Sequence, residues 1–262
     1  FWLNLIDRKN DGKTLQRIIN IWMLKHSKYK KNIWESSVLS KRIISWILNV
    51  DIILNNGNFD FKKKFLDSIV SQTNHLKKNI KFEKNYSKRI EILTALLLSG
   101  LVFKEYVDNY NVGIKELEKL VKDYFDADGF PLTRNPSDLI LFLKYLLLCK
   151  ECIQDAQQYV PNFLETIIDK NLICLRNILT PNDSVPLFNG GTEENLEELI
   201  KFINSLKYKT KDKKSLVGGI RKFNYKNNTV FLDTGEPPRK KFSSSYQSGP
   251  LSFEYYVGDC KI

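Results

Sequence analysis

Apolar residues recur at helical spacing through the first two hundred positions and switch to a period of two after that. Thr14 to Lys25 places Leu15, Ile18, Ile19 and Trp22 on one side, which predicts a helix. A basic loop, KHSKYKKN, leads to Trp34-Glu35-Ser36-Ser37. Val38 to Asn55 then carries Leu39, Ile43, Trp46, Ile47 and Val50 on one face and is stopped by Asn55-Asn56-Gly57. A helix capped by Asp60 is expected to run to about Ile80, a further one from Ser87 to about Val107, and another over Ile114 to Phe125. The first dozen residues read as the end of a preceding element.

The stretch from Asp126 to Leu148 is a polar turn followed by a long apolar helix. Asn135 suits the N-cap, Pro136 the first helical position, and Asp138 the first turn, where negative charge is favoured. This helix is expected to end near Asp155. Pro161 to Leu179 and a helix capped by Thr192 and reaching about Leu206 complete the helical part. Short polar connections between one-sided helices predict stacked antiparallel helical hairpins. After the basic segment Lys207 to Lys214, Ile220 to Tyr225, Thr229 to Asp233 and Leu251 to Val257 alternate as strands, with Asn227-Asn228 as a hairpin turn. The expected fold class is therefore α+β and multidomain, with residues 1–207 helical and 208–262 opening an all-β domain.

Composition changes this picture little. The 262 residues include 16 Phe, 12 Tyr and 4 Trp, enough to build a core and to exclude global disorder. Four cysteines are too sparse for a disulfide framework, and the Cys149/Cys152 pair sits inside an apolar helical run, so buried thiols are expected there. A net charge of +11 implies attraction to polyanions, although the lysines are spread along most helices. No apolar run is long enough to span a bilayer. Because the chain begins at Phe1 and ends in a strand-like segment, a fragment cut at both ends is expected.

Candidate chemistry is sparse. His26 and His75 are isolated and read as surface residues, and no GxGxxG, P-loop or GxSxG is present. The mouth of the helix at Arg134-Asn135 has two readings side by side: a well-capped start, or a place where polar groups meet an anionic ligand. Arg89 either recognises a carboxylate or is solvated at a helix start. Asn189, in FNGG, either contacts sugar or makes a turn. Trp34 and Glu35 either line a groove or pack at a helix start. Arg42 reads as a structural ion-pair partner.

Four blocks taken together go further. WESSVLSKRIISWI (Trp34 to Ile47), DGFPLTRNPSDLILFLKYLLL, VPLFNGG (Val185 to Gly191), and VFLDTGEPP followed by SGPLSFEYYVGDCKI resemble the heparinase II/III-like polysaccharide lyases. The resemblance is to their alphaproteobacterial-type branch, and it extends over nearly the whole chain.

It implies an incomplete (α/α) toroid followed by the start of an antiparallel β-sandwich, and β-elimination on uronate-containing acidic glycans by a carbon–oxygen lyase. The alternative is a catalytically degenerate glycan-binding envelope protein of the same fold. Tyr246 as base and Arg89 as carboxylate partner are the catalytic candidates; Arg134, Asn135, Asn189, Gln247, Trp34 and Glu35 are the substrate-binding ones. The resemblance also implies a bacterial envelope or periplasmic location (otherwise a cytoplasmic one) and an acidic polysaccharide or oligosaccharide as partner; no nucleic acid, cofactor or metal is expected. Departures from the family pattern fall at catalytic positions. Ser137 and Asp138 stand about where active lyases often carry a Tyr-His pair, Ser87 where the family has a polar Asn, and Gln247 where it has a His.

Overall fold

A computed structural model describes residues 12–262 apart from 56, 207, 209–213, 248 and 250. The expectations for the first eleven residues and for most of the basic segment 207–214 therefore lie outside the described residues. The chain forms two compact units, dividing after Leu117.

The first unit is helical: α1 (Gly12–His26), α2 (Ser36–Leu48), α3 (Val50–Leu54), α4 (Phe59–Asn79), α5 (Tyr86–Val102) and the start of α6 (Val107–Tyr124). Its centre is α5, buried without interruption from Ile90 to Gly100 because ILTALLLSG offers no wide polar face. Each fully buried Leu or Ile there contributes about 1.5–3 kcal/mol relative to an exposed one. The α5 glycine Gly100 allows α6 to cross closely, since a Cβ at that position would lie 2.2 Å from the Tyr110 backbone nitrogen.

Several helix boundaries differ from those expected, each for a local reason. The α2–α3 run breaks at Asn49, which leaves helical geometry (ψ 19°) while its side-chain amide donates to the Ser45 carbonyl at 2.8 Å. Asn58, not Asp60, caps α4 by accepting from the Phe61 amide, and α5 begins at Tyr86, one residue before Ser87, with Asn85 as its cap accepting from Lys88 N. Phe103 is extended and ends α5, so Val107 belongs to α6, which begins seven residues before Ile114.

The second unit holds α7 (Pro136–Asp155), α8 (Asn162–Ile178), α9 (Glu197–Ser205) and the antiparallel sheet β1 (Leu216–Val217), β2 (Ile220–Tyr225), β3 (Asn228–Asp233), β4 (Phe253–Val257) and β5 (Cys260–Lys261), in sequential order. Helices α7 and α8 pack together, and α8 also packs against β1 and β2. Thr192 does not cap a helix. Its amide donates to Ser137 Oγ, and α9 starts only at Glu197, where Asn195 accepts from the backbone.

The β2–β3 turn is Lys226-Asn227, one residue earlier than expected, with Lys226 taking the positive φ (53°) such two-residue turns demand. The short β1 is joined to β2 by Gly218-Gly219, both at positive φ.

Register divides the sheet into two faces. Ile220, Lys222, Phe231, Asp233, Glu254 and Tyr256 share the buried face, and Phe223, Val230, Leu232, Phe253, Tyr255 and Val257 the other. Cys149 and Cys174 are buried thiols and Cys152 is half-buried; burial pushes Cys152 up to about 11 and Cys174 up to about 12. Among the described residues no helix is long and apolar enough to cross a membrane.

Candidate functional site

In the second unit the site is built around the start of α7. Asn135 caps the helix, its side-chain oxygen accepting from Ser137 N at 2.8 Å. Asp138, in the first turn, accepts from Tyr124 Oη at 2.8 Å and Thr133 Oγ1 at 2.7 Å. Just ahead of the cap, Arg134 adopts φ 60°, a left-handed conformation unusual for a non-glycine residue.

That conformation accompanies an inward guanidinium. Arg134 is 8% exposed; Nε donates to the Gly218 carbonyl at 3.0 Å, Nη1 to the Glu236 carbonyl at 2.8 Å, and Nη2 pairs with Asp233. Gly219 and Gly235 make room for it, because a Cβ on either would approach guanidinium atoms to 2.5 or 2.4 Å. The helix mouth therefore turns its arginine to the sheet. A charged pair this deep in the protein is tolerated because its remaining donors are satisfied.

The FNGG turn joins the same cluster. Asn189, also left-handed (φ 55°), donates its amide to the Arg134 carbonyl at 3.1 Å and to Asp233 Oδ2 at 3.2 Å. Gly190 lies under the 243–247 loop, where an added Cβ would meet the Ser245 carbonyl at 2.4 Å. Tyr246 and Gln247 follow directly on that loop, Tyr246 half-buried and Gln247 exposed. The Tyr246 phenol makes no side-chain hydrogen bond with a described residue. The structure thus brings Arg134, Asn135, Asn189 and the Tyr246–Gln247 loop into one neighbourhood, with the first three contributing mainly to its frame.

Asp233 and Glu254 were missed by motif reasoning. Strand alternation is the signal that finds them, for it turns both carboxylates to the buried face, where each needs partners. Glu254 accepts from Leu187 N at 2.8 Å and Tyr256 Oη at 2.9 Å, and meets Lys261 Nζ at 2.8 Å. It anchors the Val185–Gly191 segment to β4 as Asp233 anchors Asn189 to β3.

The remaining candidates lie in the first unit. Arg89 Nη2 is 3.9 Å from Glu116 and its guanidinium carbon is 5.9 Å from the Tyr86 ring, while its buried Nε has no hydrogen-bond partner among the described residues. Glu35 caps α2 by accepting from Ser37 and Val38 and pairs with Lys88 Nζ at 2.7 Å. Burial opposes its ionisation, but the Lys88 and backbone bonds outweigh that and hold its carboxyl below the usual range.

Trp34 is buried and donates Nε1 to the His26 carbonyl at 3.3 Å. The two histidines are half-buried among aromatic rings instead of lying free on the surface: His26 against Trp22 at 5.6 Å, and His75 against Tyr29 at 5.5 Å and Trp34 at 5.3 Å. Arg42 is structural, though its partners are neutral. It donates to Gln72 and to the Ile33 carbonyl and lies 4.1 Å over the Trp22 ring, and burial lowers it to about 10. Among the described residues no three His, Cys, Asp or Glu are grouped to hold a metal ion.

With this geometry the chain can be set beside known proteins. It is similar to heparan sulfate lyase HepC from Pedobacter heparinus, with a TM-score of 0.73 at 17% identity, over 99% of this chain and 46% of that one. Heparinase III is similar as well, with a TM-score of 0.77 at 16% identity over 95% of this chain and 46% of its own. The chain thus spans about half the length of these lyases, and at such identity the likeness speaks to the fold: toroid-type helices followed by antiparallel strands. Among curated proteins, none matches this sequence. The family model for the heparinase II/III N-terminus matches residues 21–215, and the chain belongs to that family.

Proposed function

We propose that this chain is part of a polysaccharide lyase that cleaves uronate-containing acidic glycans by β-elimination. The observation that carries the reading is the seating of the Tyr246 loop on the Asn189–Gly190 turn, which is itself tied to the α7 mouth. In such an elimination a base removes the proton beside the uronate carboxylate, a cation or amide stabilises the charge that develops, and an acid protonates the departing glycosidic oxygen.

Tyr246, whose phenol no described side chain engages, is the base we assign. In the first unit, Arg89, whose buried Nε has no hydrogen-bond partner among the described residues, is assigned to a uronate carboxylate, and Trp34 and Glu35 to sugar contacts; in the second unit Gln247 is assigned to a sugar contact. Arg134, Asn135 and Asn189 act on substrate through the frame they hold. We assign residues 1–207 to the toroid domain and 208–262 to the β domain, and a cell-envelope location suits a glycan substrate. The neighbours named for heparan sulfate and heparin support an acidic polysaccharide as partner.

Incubation of the protein with heparan sulfate and other uronate glycans is expected to raise ultraviolet absorbance from unsaturated products. Tyr246→Phe should lower the rate by about 10²-fold or more. Equal rates for both proteins would remove Tyr246 from the chemistry.

One observation favours a second reading, a glycan-binding protein without turnover. Ser137 and Asp138 are engaged with Thr192, Tyr124 and Thr133, so the positions of the usual Tyr-His pair serve the helix start. Retained binding with no absorbance change across the glycan panel would select it.

A further inference from the structure

The first unit carries a cleft at the corner formed by Trp34 and Glu35, two residues that the proposed function assigns to sugar contacts. It lies between the loop before α2 and the end of α4, has a volume of about 380 Å³, and is walled by Tyr29, Trp34, His75 and Phe82, with Lys31, Asn79 and the carboxylates Glu35 and Glu83 among its polar groups. Its two outer aromatics are unusually exposed, Tyr29 at 62% and Phe82 at 69%. His75 packs between Tyr29, at an interplanar angle of 34°, and the edge of Trp34, at 80°, forming an aromatic floor.

Polar groups sit among these rings. The Asn79 amide nitrogen donates to the His75 carbonyl at 2.7 Å, which leaves its side-chain oxygen without a partner among the described residues. The His75 ring nitrogens likewise have none. Burial and the neighbouring Lys78 lower the His75 pKa, so at neutral pH the ring offers one donor and one acceptor.

Aromatic faces beside amide, imidazole and carboxylate groups suit a sugar ring, which has an apolar C–H face and a hydroxyl rim. Exposed lysines accompany both platforms: Lys31 lines the cleft, Lys28 and Lys30 adjoin Tyr29 in the chain, Lys81 Nζ lies 4.9 Å over the Phe82 ring, and Lys84 follows two residues on. Of the two carboxylates that line the cleft, Glu35 is paired with Lys88, and Glu83 accepts from the Asn85 backbone amide at 2.9 Å.

We propose that this cleft is a glycan subsite in which a pyranose of an acidic oligosaccharide stacks on Tyr29 and Phe82 while the flanking lysines hold its anionic groups. The ligand class rests on the proposed acidic-glycan function; the subsite itself requires no elimination chemistry.

The test is calorimetric titration of the protein with a heparan sulfate hexasaccharide, comparing wild type with Tyr29→Ala/Phe82→Ala and with Tyr29→Phe. The double variant should bind ~10-fold more weakly, equivalent to about 1.4 kcal/mol, and Tyr29→Phe should bind as wild type does. Both side chains are exposed, so unchanged circular dichroism is expected throughout. Unaltered affinity in the double variant would overturn the subsite and leave the glycan function standing. Equal loss in Tyr29→Phe would overturn the stacking. Single-stranded DNA of matched charge that binds as tightly and is weakened equally would show a general polyanion surface, overturning it too. Wild type that neither binds nor turns over acidic glycans would remove both the function and the subsite.

Discussion

Glu35 shows how one side chain can stabilise a helix and invite a functional reading at once. Its carboxylate closes the α2 cap and holds Lys88, the residue next to Arg89. Because these bonds lower the Glu35 pKa, its contribution to stability is full above the unfolded-state value and is lost as pH falls through the folded-state value. Lys88 is raised by the same pair, so its share is intact across neutral pH and lost only in strongly alkaline solution. Removing the ammonium by Lys88→Met should open a stability gap to wild type at pH 7 that closes as pH falls below the ordinary glutamate range. Urea unfolding at several pH values would measure it. A gap that persists at pH 3 would mean that Lys88 acts by packing.

At the scale of elements, α7 and the sheet are joined by a charge. The sequence made the start of α7 legible through Asn135, Pro136 and Asp138, but left the direction of Arg134 open. A helix mouth can offer its arginine to solvent or to the fold, and the choice depends on where Asp233, Gly219 and Gly235 arrive from far along the chain. Strand alternation held the missing half of the argument, since it buries Asp233 and so demands a cation.

Boundaries were less legible than elements, because single side chains decide them: Asn49 divides α2 from α3, and Ser137 draws Thr192 out of the helix it was expected to cap. Arg134→Ala should destabilise the protein by about 3–5 kcal/mol by leaving Asp233 buried and unpaired. Adding Asp233→Asn to that variant should restore part of the loss, as read by urea denaturation.

Across the whole molecule, one surface stands out by its chemistry. The sheet face opposite the buried one exposes Phe223 at 51% and Phe253 at 68%, beside Val230, Leu232 and Val257. An apolar sheet face of this kind is what a second layer of a sandwich covers. The 262-residue protein is therefore expected to bind and brighten the dye ANS while fully folded. Phe223→Ser/Phe253→Ser should lose most of that signal at unchanged helix content by circular dichroism. Dye bound equally by the variant would place the apolar surface elsewhere.

The Arg134–Asp233 pair also has a meaning in time. Its members are 99 residues apart, and synthesis at about 5–20 residues per second separates their appearance by roughly 5–20 s. During that interval the α7 mouth has its cap and its first-turn aspartate but no counter-ion for its arginine. The newborn helix must wait for a strand to complete its beginning.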